Sequence, residues 1–172
     1  VRKLYEKDPA LADLLESNGV VPPKVRKYIL MSVAGSYTDF HIDFAGTSVY
    51  YSPLSGHKQF ILIPPVHRNL EAYKKWCLSD EQNNVWFPSL LKPLTGRDKD
   101  RMHASGVPDA YLNNGFVVDI LPGDLLLLPS MWIHAVYTKQ DSIIIGGNFL
   151  NLLSLESHLQ TYKIEVATRV ND

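Results

Sequence analysis

The hydrophobic pattern along the chain changes period near residue 24. Before it, Leu4, Leu11, Leu14 and Leu15 stand among charges at close to helical spacing, interrupted at Pro9. This predicts a helical lead-in over residues 1–23, with one or two short helices ending near Gly19. Pro22 and Pro23 break any helix, and the following runs are rich in Val, Ile, Tyr, Phe and Thr: KYILMSV, YTDFHIDF, TSVYYSPL and KQFILIPP. They predict antiparallel strands with turns at Ala34-Gly35-Ser36, Ala45-Gly46 and Ser55-Gly56.

After Pro64-Pro65, Leu70, Tyr73, Trp76, Cys77 and Leu78 fall mostly at helical spacing, which predicts an amphipathic helix from about Asn69 to Ser79. Pro88 to Asn114 is charged, proline-bearing and aperiodic, and reads as a long loop insertion. Strands resume with GFVVDIL, turn at Pro122-Gly123-Asp124, and continue through LLLLP, WIHAVYT and SIIIGGNFL. A last helix is predicted over Leu155 to Thr168. Eight or so short strands with few helices predict a mainly β sandwich or barrel with peripheral helices. A parallel α/β sheet would need a helix after nearly every strand.

Composition narrows the function classes. A chain of 172 residues, 45% hydrophobic, is one domain able to bury a core. Seventeen Lys and Arg against 18 Asp and Glu leave a net charge of -1, which excludes the strongly basic footprint of a phosphate-wrapping protein. One cysteine, Cys77, excludes an internal disulfide. No run approaches the roughly 18 apolar residues of a membrane span, and the charged start is unlike a signal peptide. A soluble, intracellular chain is expected.

The candidate chemistry starts at His41-Ile42-Asp43, inside a strand pattern. Side chains two apart on a strand share a face, about 7 Å apart at the backbone, so His41 and Asp43 can converge on one ion. His134, in the distant run WIHAV, completes two histidines and one carboxylate, the set that leaves open positions on non-heme iron. Spacing alone is weak evidence and favours a hydrogen-bonded or surface histidine over a metal site. Lys58, at the start of a later strand, is either a solvated residue or the anchor of a cosubstrate carboxylate. Thr38 could add a hydrogen bond there, but three residues from His41 it has the wrong parity for one face unless the strand carries a bulge. Tyr51 reads as a core or a site aromatic, and Asn148 as a turn or a pocket residue.

The stretches YILMSVAGSYTDFHIDFAGTSVYY, GHKQFILIPP, LLLLPSMWIHAVYT and SIIIGGNFL resemble, in order, the Jumonji-C (JmjC) histone lysine demethylases, in the fungal branch related to the plant homeodomain finger enzymes. The likeness runs from about Lys24 to Arg169 and implies a double-stranded β-helix (jelly-roll, cupin-like) JmjC catalytic domain over 24–172, with the insertion at about 88–114. It implies iron ligands His41, Asp43 and His134, with Thr38 and Lys58 binding the distal carboxylate of 2-oxoglutarate. Tyr51 would stand near cosubstrate and methyl-lysine, and Asn148 would line the methyl-lysine pocket. The implied activity is an Fe(II)- and 2-oxoglutarate-dependent dioxygenase. It would use dioxygen to demethylate a histone H3 tail, lysine 36 favoured, releasing formaldehyde and succinate in the nucleus.

A catalytically weak JmjC chromatin-binding module and a protein hydroxylase are the alternatives. Nucleosome contact would fall to other domains, and strong nucleic-acid binding by this segment is not expected. Met131 stands where many members carry Gly before the Trp, which predicts a different turn ahead of His134. Tyr50 and Ser52 replace a Trp and a His common in animal members. The family's first strands, which supply an asparagine to the cosubstrate site, are expected to lie before Val1.

Overall fold

A computed structural model describes residues 24–106 and 115–168, together with Asp13 and Ser17. The predicted lead-in helices otherwise lie outside the described residues, as does 107–114 at the end of the insertion. Within residues 24–106 and 115–168, six strands and three α-helices follow in the order β1 (Tyr28–Ser32), β2 (Tyr37–His41), β3 (Ser48–Ile63), α1 (His67–Cys77), α2 (Gly96–Ala104), β4 (Phe116–Ile120), β5 (Leu126–Leu128), β6 (Ile133–Phe149) and α3 (Leu155–Thr168). Every strand pairing is antiparallel.

The two long strands organise the fold. The first half of β3 pairs the second half of β6, from Ser48↔Phe149 to Ser55↔Ile143, with β1 and β5 on the flanks. The second half of β3 pairs the first half of β6, from His57↔Gln140 to Ile63↔Ile133, with β2 and β4 outside them. One ribbon therefore serves two four-stranded sheets, β1-β6-β3-β5 and β2-β6-β3-β4. This is the double-stranded β-helix that the family resemblance implied, with the peripheral helices that the sequence patterns predicted.

The predicted turn at Ser55-Gly56 is instead the crossing between the sheets. β3 runs through it without reversing, with register shifts between Pro53 and Lys58. Gly56 has φ 84°, and an added Cβ would lie 2.2 Å from the Asp141 carbonyl oxygen. Only a residue without a side chain lets the ribbon bend this tightly.

Strand alternation builds two cores. Between the sheets, Tyr51, Phe60, Leu62, Leu128, Trp132 and Ile144 pack together. On the outer face of the second sheet, Phe40, Ile63 and Ile133 pack against Leu70, Tyr73 and Trp76 of α1. The run FILI is thus buried on both sides, at about 1.5–3 kcal/mol for each fully buried aliphatic side chain. The insertion also departs from the expected loop, because it contains α2. A capping box starts that helix, with the Thr95 side chain accepting from Asp98 N–H and the Asp98 carboxylate accepting from Thr95 N–H. No helix among the described residues is long and apolar enough to cross a membrane.

Candidate metal centre and anion pocket

Cross-strand register places the site. On the inner face of the second sheet, His41 pairs His134 and Leu62 pairs His134. The next rung is Thr38, Val136 and Phe60, and the next Thr138 and Lys58. Between Thr38 and His41, β2 carries three steps where β6 carries two, a bulge that returns Thr38 to the face of His41. The parity objection to Thr38 is thereby removed. His41, Thr38 and Lys58 line one cavity of about 270 Å³ with Tyr28, Tyr51 and Phe60. A larger hollow of about 880 Å³ lies between α1 and the insertion, away from this cluster.

His41, Asp43 and His134 each offer a ligand atom, all within 4.8 Å of one another, and could hold a metal ion. The imidazole centroids are 4.1 Å apart, and His134 Nε2 is 3.8 Å from Asp43 Oδ2. Both rings are oriented alike: Nδ1 of His41 meets the Asp39 carbonyl oxygen at 2.8 Å, and Nδ1 of His134 meets the Trp132 carbonyl oxygen at 3.0 Å. A carbonyl only accepts, so each Nδ1 carries the proton and each Nε2 lone pair faces the cluster. His134 is fully buried, and its Nε2 has no hydrogen-bond partner. A buried nitrogen without a partner is costly, and a metal ion would satisfy it. Burial, with the neighbouring His41 charge, lowers the His134 pKa to about 3, keeping the ring neutral as a ligand must be.

Asp43 is held from two sides. Its carboxyl is raised by burial, an effect opposed by the His41 charge and by the Asn148 side chain. Asn148 Nδ2 donates to Asp43 Oδ1 at 3.4 Å and to Thr47 Oγ1 at 2.9 Å, leaving Oδ2 on the His134 side. The amide is oriented in turn: Tyr51 and Tyr28 share a hydrogen bond, and the Tyr28 hydroxyl donates to Asn148 Oδ1 at 2.8 Å. Gly146, paired with both tyrosines in the ladder, makes room for the Tyr28 ring, since a Cβ there would lie 2.8 Å from Tyr28 Cε2. Beyond Asp43, α3 clamps the backbone. Glu165 accepts from Ala45 N–H at 2.7 Å, with Ala45 held at φ 51°, and the Ser130 hydroxyl donates to the Gly46 carbonyl.

At the far end of the cavity Lys58 is 7% exposed, and burial lowers its pKa. Its Nζ donates to Thr138 Oγ1 at 2.6 Å, and among the described residues no carboxylate pairs with it. A buried ammonium without a counter-charge calls for an anion. Tyr28, Thr138 and Thr47 went unnoticed in the sequence, because the contacts that give them roles join residues 120, 80 and 101 apart. Met131 takes φ 68° in the turn before β6, the left-handed conformation that a glycine would favour, while its side chain is buried.

Residues 4–151 match the cupin-like domain family. The chain belongs to this family, in its JmjC branch. The JmjC domain is 48% identical over 164 residues to the JmjC domain-containing histone demethylation protein 1 of Debaryomyces hansenii, covering 95% of this chain and 30% of that protein. It is 44% identical over 148 residues to the protein of that name in Saccharomyces cerevisiae, covering 86% and 26%. To Lysine-specific demethylase 2A of Xenopus tropicalis it is 43% identical over 148 residues, covering 86% and 11%. The JmjC domain thus spans less than a third of each of these relatives.

Proposed function

We propose that this JmjC domain catalyses Fe(II)- and 2-oxoglutarate-dependent demethylation of a histone H3 lysine, lysine 36 favoured, within a nuclear chromatin protein. The observation that carries this reading is a buried, uncompensated Lys58 facing the same cavity as His41 of the three-group cluster. A metal at one end and a fixed cation at the other fit a short diacid with a chelating head, which is the chemistry of 2-oxoglutarate. The names of the relatives supply the substrate class.

Each residue then has a task. His41 and His134 present neutral nitrogens and Asp43 presents Oδ2. Lys58 and Thr38 bind the distal carboxylate, and Tyr51 packs along the cosubstrate. Asn148 fixes Asp43 and borders the methyl-lysine pocket. Phe60, Val136 and Ile144 keep water from the cavity walls. Iron, when bound, would supply the activation of dioxygen, one oxygen atom entering succinate as 2-oxoglutarate loses carbon dioxide and the other entering the N-methyl group, which leaves as formaldehyde.

The test is formaldehyde and succinate release from methylated histone H3 peptides by the full-length protein with Fe(II) and 2-oxoglutarate. Equimolar release, strongest with lysine 36 peptides and absent in His134→Ala, is expected. Binding of 2-oxoglutarate without turnover of any methylated peptide would instead mark a non-catalytic chromatin module. Oxygen insertion into an unmethylated side chain would mark a hydroxylase.

A further inference from the structure

Lys58 is held by a hydrogen-bond chain whose direction can be assigned. The Ser36 hydroxyl lies 2.6 Å from the Val33 carbonyl oxygen and 3.1 Å from Thr138 Oγ1. A carbonyl can only accept, so the single Ser36 proton goes to Val33. The Ser36–Thr138 contact is then closed by the Thr138 proton. Thr138 Oγ1, with its proton committed, meets Lys58 Nζ through a lone pair. The chain runs Lys58 to Thr138 to Ser36 to the Val33 carbonyl. It uses one of the three ammonium protons and leaves two for the cavity.

The backbone locks the same arrangement. Gly35 N–H donates to the Thr138 carbonyl at 2.8 Å, and Thr138 N–H donates to the Ser36 carbonyl at 2.9 Å. Thr138 is 1% exposed, and it sits directly across from Lys58 in the ladder. The β1–β2 turn, whose residues 33–36 are not among those lining the cavity, thereby sets where the cation points.

We propose that Thr138, backed by Ser36, is a positioning residue that aims the Lys58 ammonium at the distal carboxylate of the cosubstrate. The inference rests on the 2-oxoglutarate reading above and adds to it the group that gives Lys58 its direction. Without the Thr138 hydroxyl the ammonium loses its only side-chain acceptor among the described residues, and its lysine stem is free to take other rotamers.

The experiment measures equilibrium binding of 2-oxoglutarate to the full-length protein loaded with Ni(II), a redox-silent substitute for iron, alongside steady-state kinetics with iron. Thr138→Val keeps the side-chain shape and removes the hydroxyl. It is expected to weaken 2-oxoglutarate binding about tenfold, equivalent to about 1.4 kcal/mol. The KM for 2-oxoglutarate should rise by the same factor, with kcat at saturation and Ni(II) affinity unchanged. Thr138→Ser should restore binding to within about threefold. Wild-type affinity in Thr138→Val would overturn the proposal, as would equal losses in the Val and Ser variants, which mark packing alone. If the wild-type protein does not bind 2-oxoglutarate, the cosubstrate reading fails and takes this inference with it. Binding that is lost in Lys58→Ala but unaffected in Thr138→Val leaves the reading standing and refutes the inference alone.

Discussion

The two sheets bring unlike chemistry to one cavity. The sheet of β2, β6, β3 and β4 carries the ionisable nitrogens on a single face, His41 and His134 in one rung and Lys58 two rungs away, beyond Thr38, Val136 and Phe60. The facing sheet contributes Tyr28, Tyr51 and Asn148, which are neutral and joined by hydrogen bonds that end on Asp43. One sheet supplies charge and lone pairs, and the other fixes orientation. Asp43, in the loop after β2, is where they meet, and the shared β3–β6 ribbon keeps the two sets in register.

The largest expected effect comes from breaking that ribbon. Gly56→Ala forces a Cβ against the Asp141 carbonyl at a positive φ, and a clash with backbone cannot be relieved by a rotamer change. A loss of more than about 3 kcal/mol, or no folded protein, is expected in denaturant unfolding. Wild-type stability would show that the crossing is pliable and that the sheets are not held in register there.

Acid separates the sheets next. His134 is lowered to about 3 in the folded chain from an ordinary 6.5. The unfolded chain therefore binds the extra proton first as pH falls. The stability of the metal-free protein is complete above pH 6.5 and drops by about 1.4 kcal/mol per pH unit below it. Asp43 is raised, so it takes up its proton more readily when folded and opposes the fall at the acid end of this window. His134→Leu should flatten the profile between pH 6.5 and 5, read by urea unfolding at each pH. An unchanged slope would locate the acid sensitivity elsewhere.

Met131 sets strain against packing at the entrance to β6. Glycine there would relieve a left-handed residue, worth about 1–2 kcal/mol. It would also empty a buried methionine site, which costs about 2–5 kcal/mol. Packing wins, so Met131→Gly should lower the melting temperature by several degrees. A higher melting temperature would mean that strain dominates the turn.

The smallest effect belongs to the orienting sheet. Tyr28→Phe removes the hydroxyl that fixes the Asn148 amide and should weaken metal binding about three- to tenfold, with little change in 2-oxoglutarate binding once metal is saturating. A larger fall in cosubstrate affinity than in metal affinity would mean that the Tyr28 hydroxyl, which lines the cavity, acts on the cosubstrate rather than through Asn148.

Much of this was legible along the chain. Strand alternation and the resemblance pointed to the β-helix, to His41, Asp43 and His134, and to Lys58. The limits were geometric. Thr38 looked wrong because a bulge is invisible to a period-two count, and Gly56 looked like a turn because a glycine reads alike at a bend and at a strand crossing. Tyr28 and Thr138 lie in runs that look purely structural, and only cross-strand register brings them to Asn148 and Lys58. The helix Gly96–Ala104 has too few apolar positions to show a period. Its Thr95 and Asp98 capping pair was the local signal available.

The most direct test of two-ended recognition is an anaerobic titration of the full-length protein with Fe(II) and then 2-oxoglutarate, followed by absorbance and calorimetry. Stoichiometric metal uptake that is lost in His134→Ala is expected, together with metal-dependent 2-oxoglutarate uptake that falls at least tenfold in Lys58→Ala while metal affinity stays unchanged. Cosubstrate binding that ignores either the metal or Lys58 would contradict two-ended recognition.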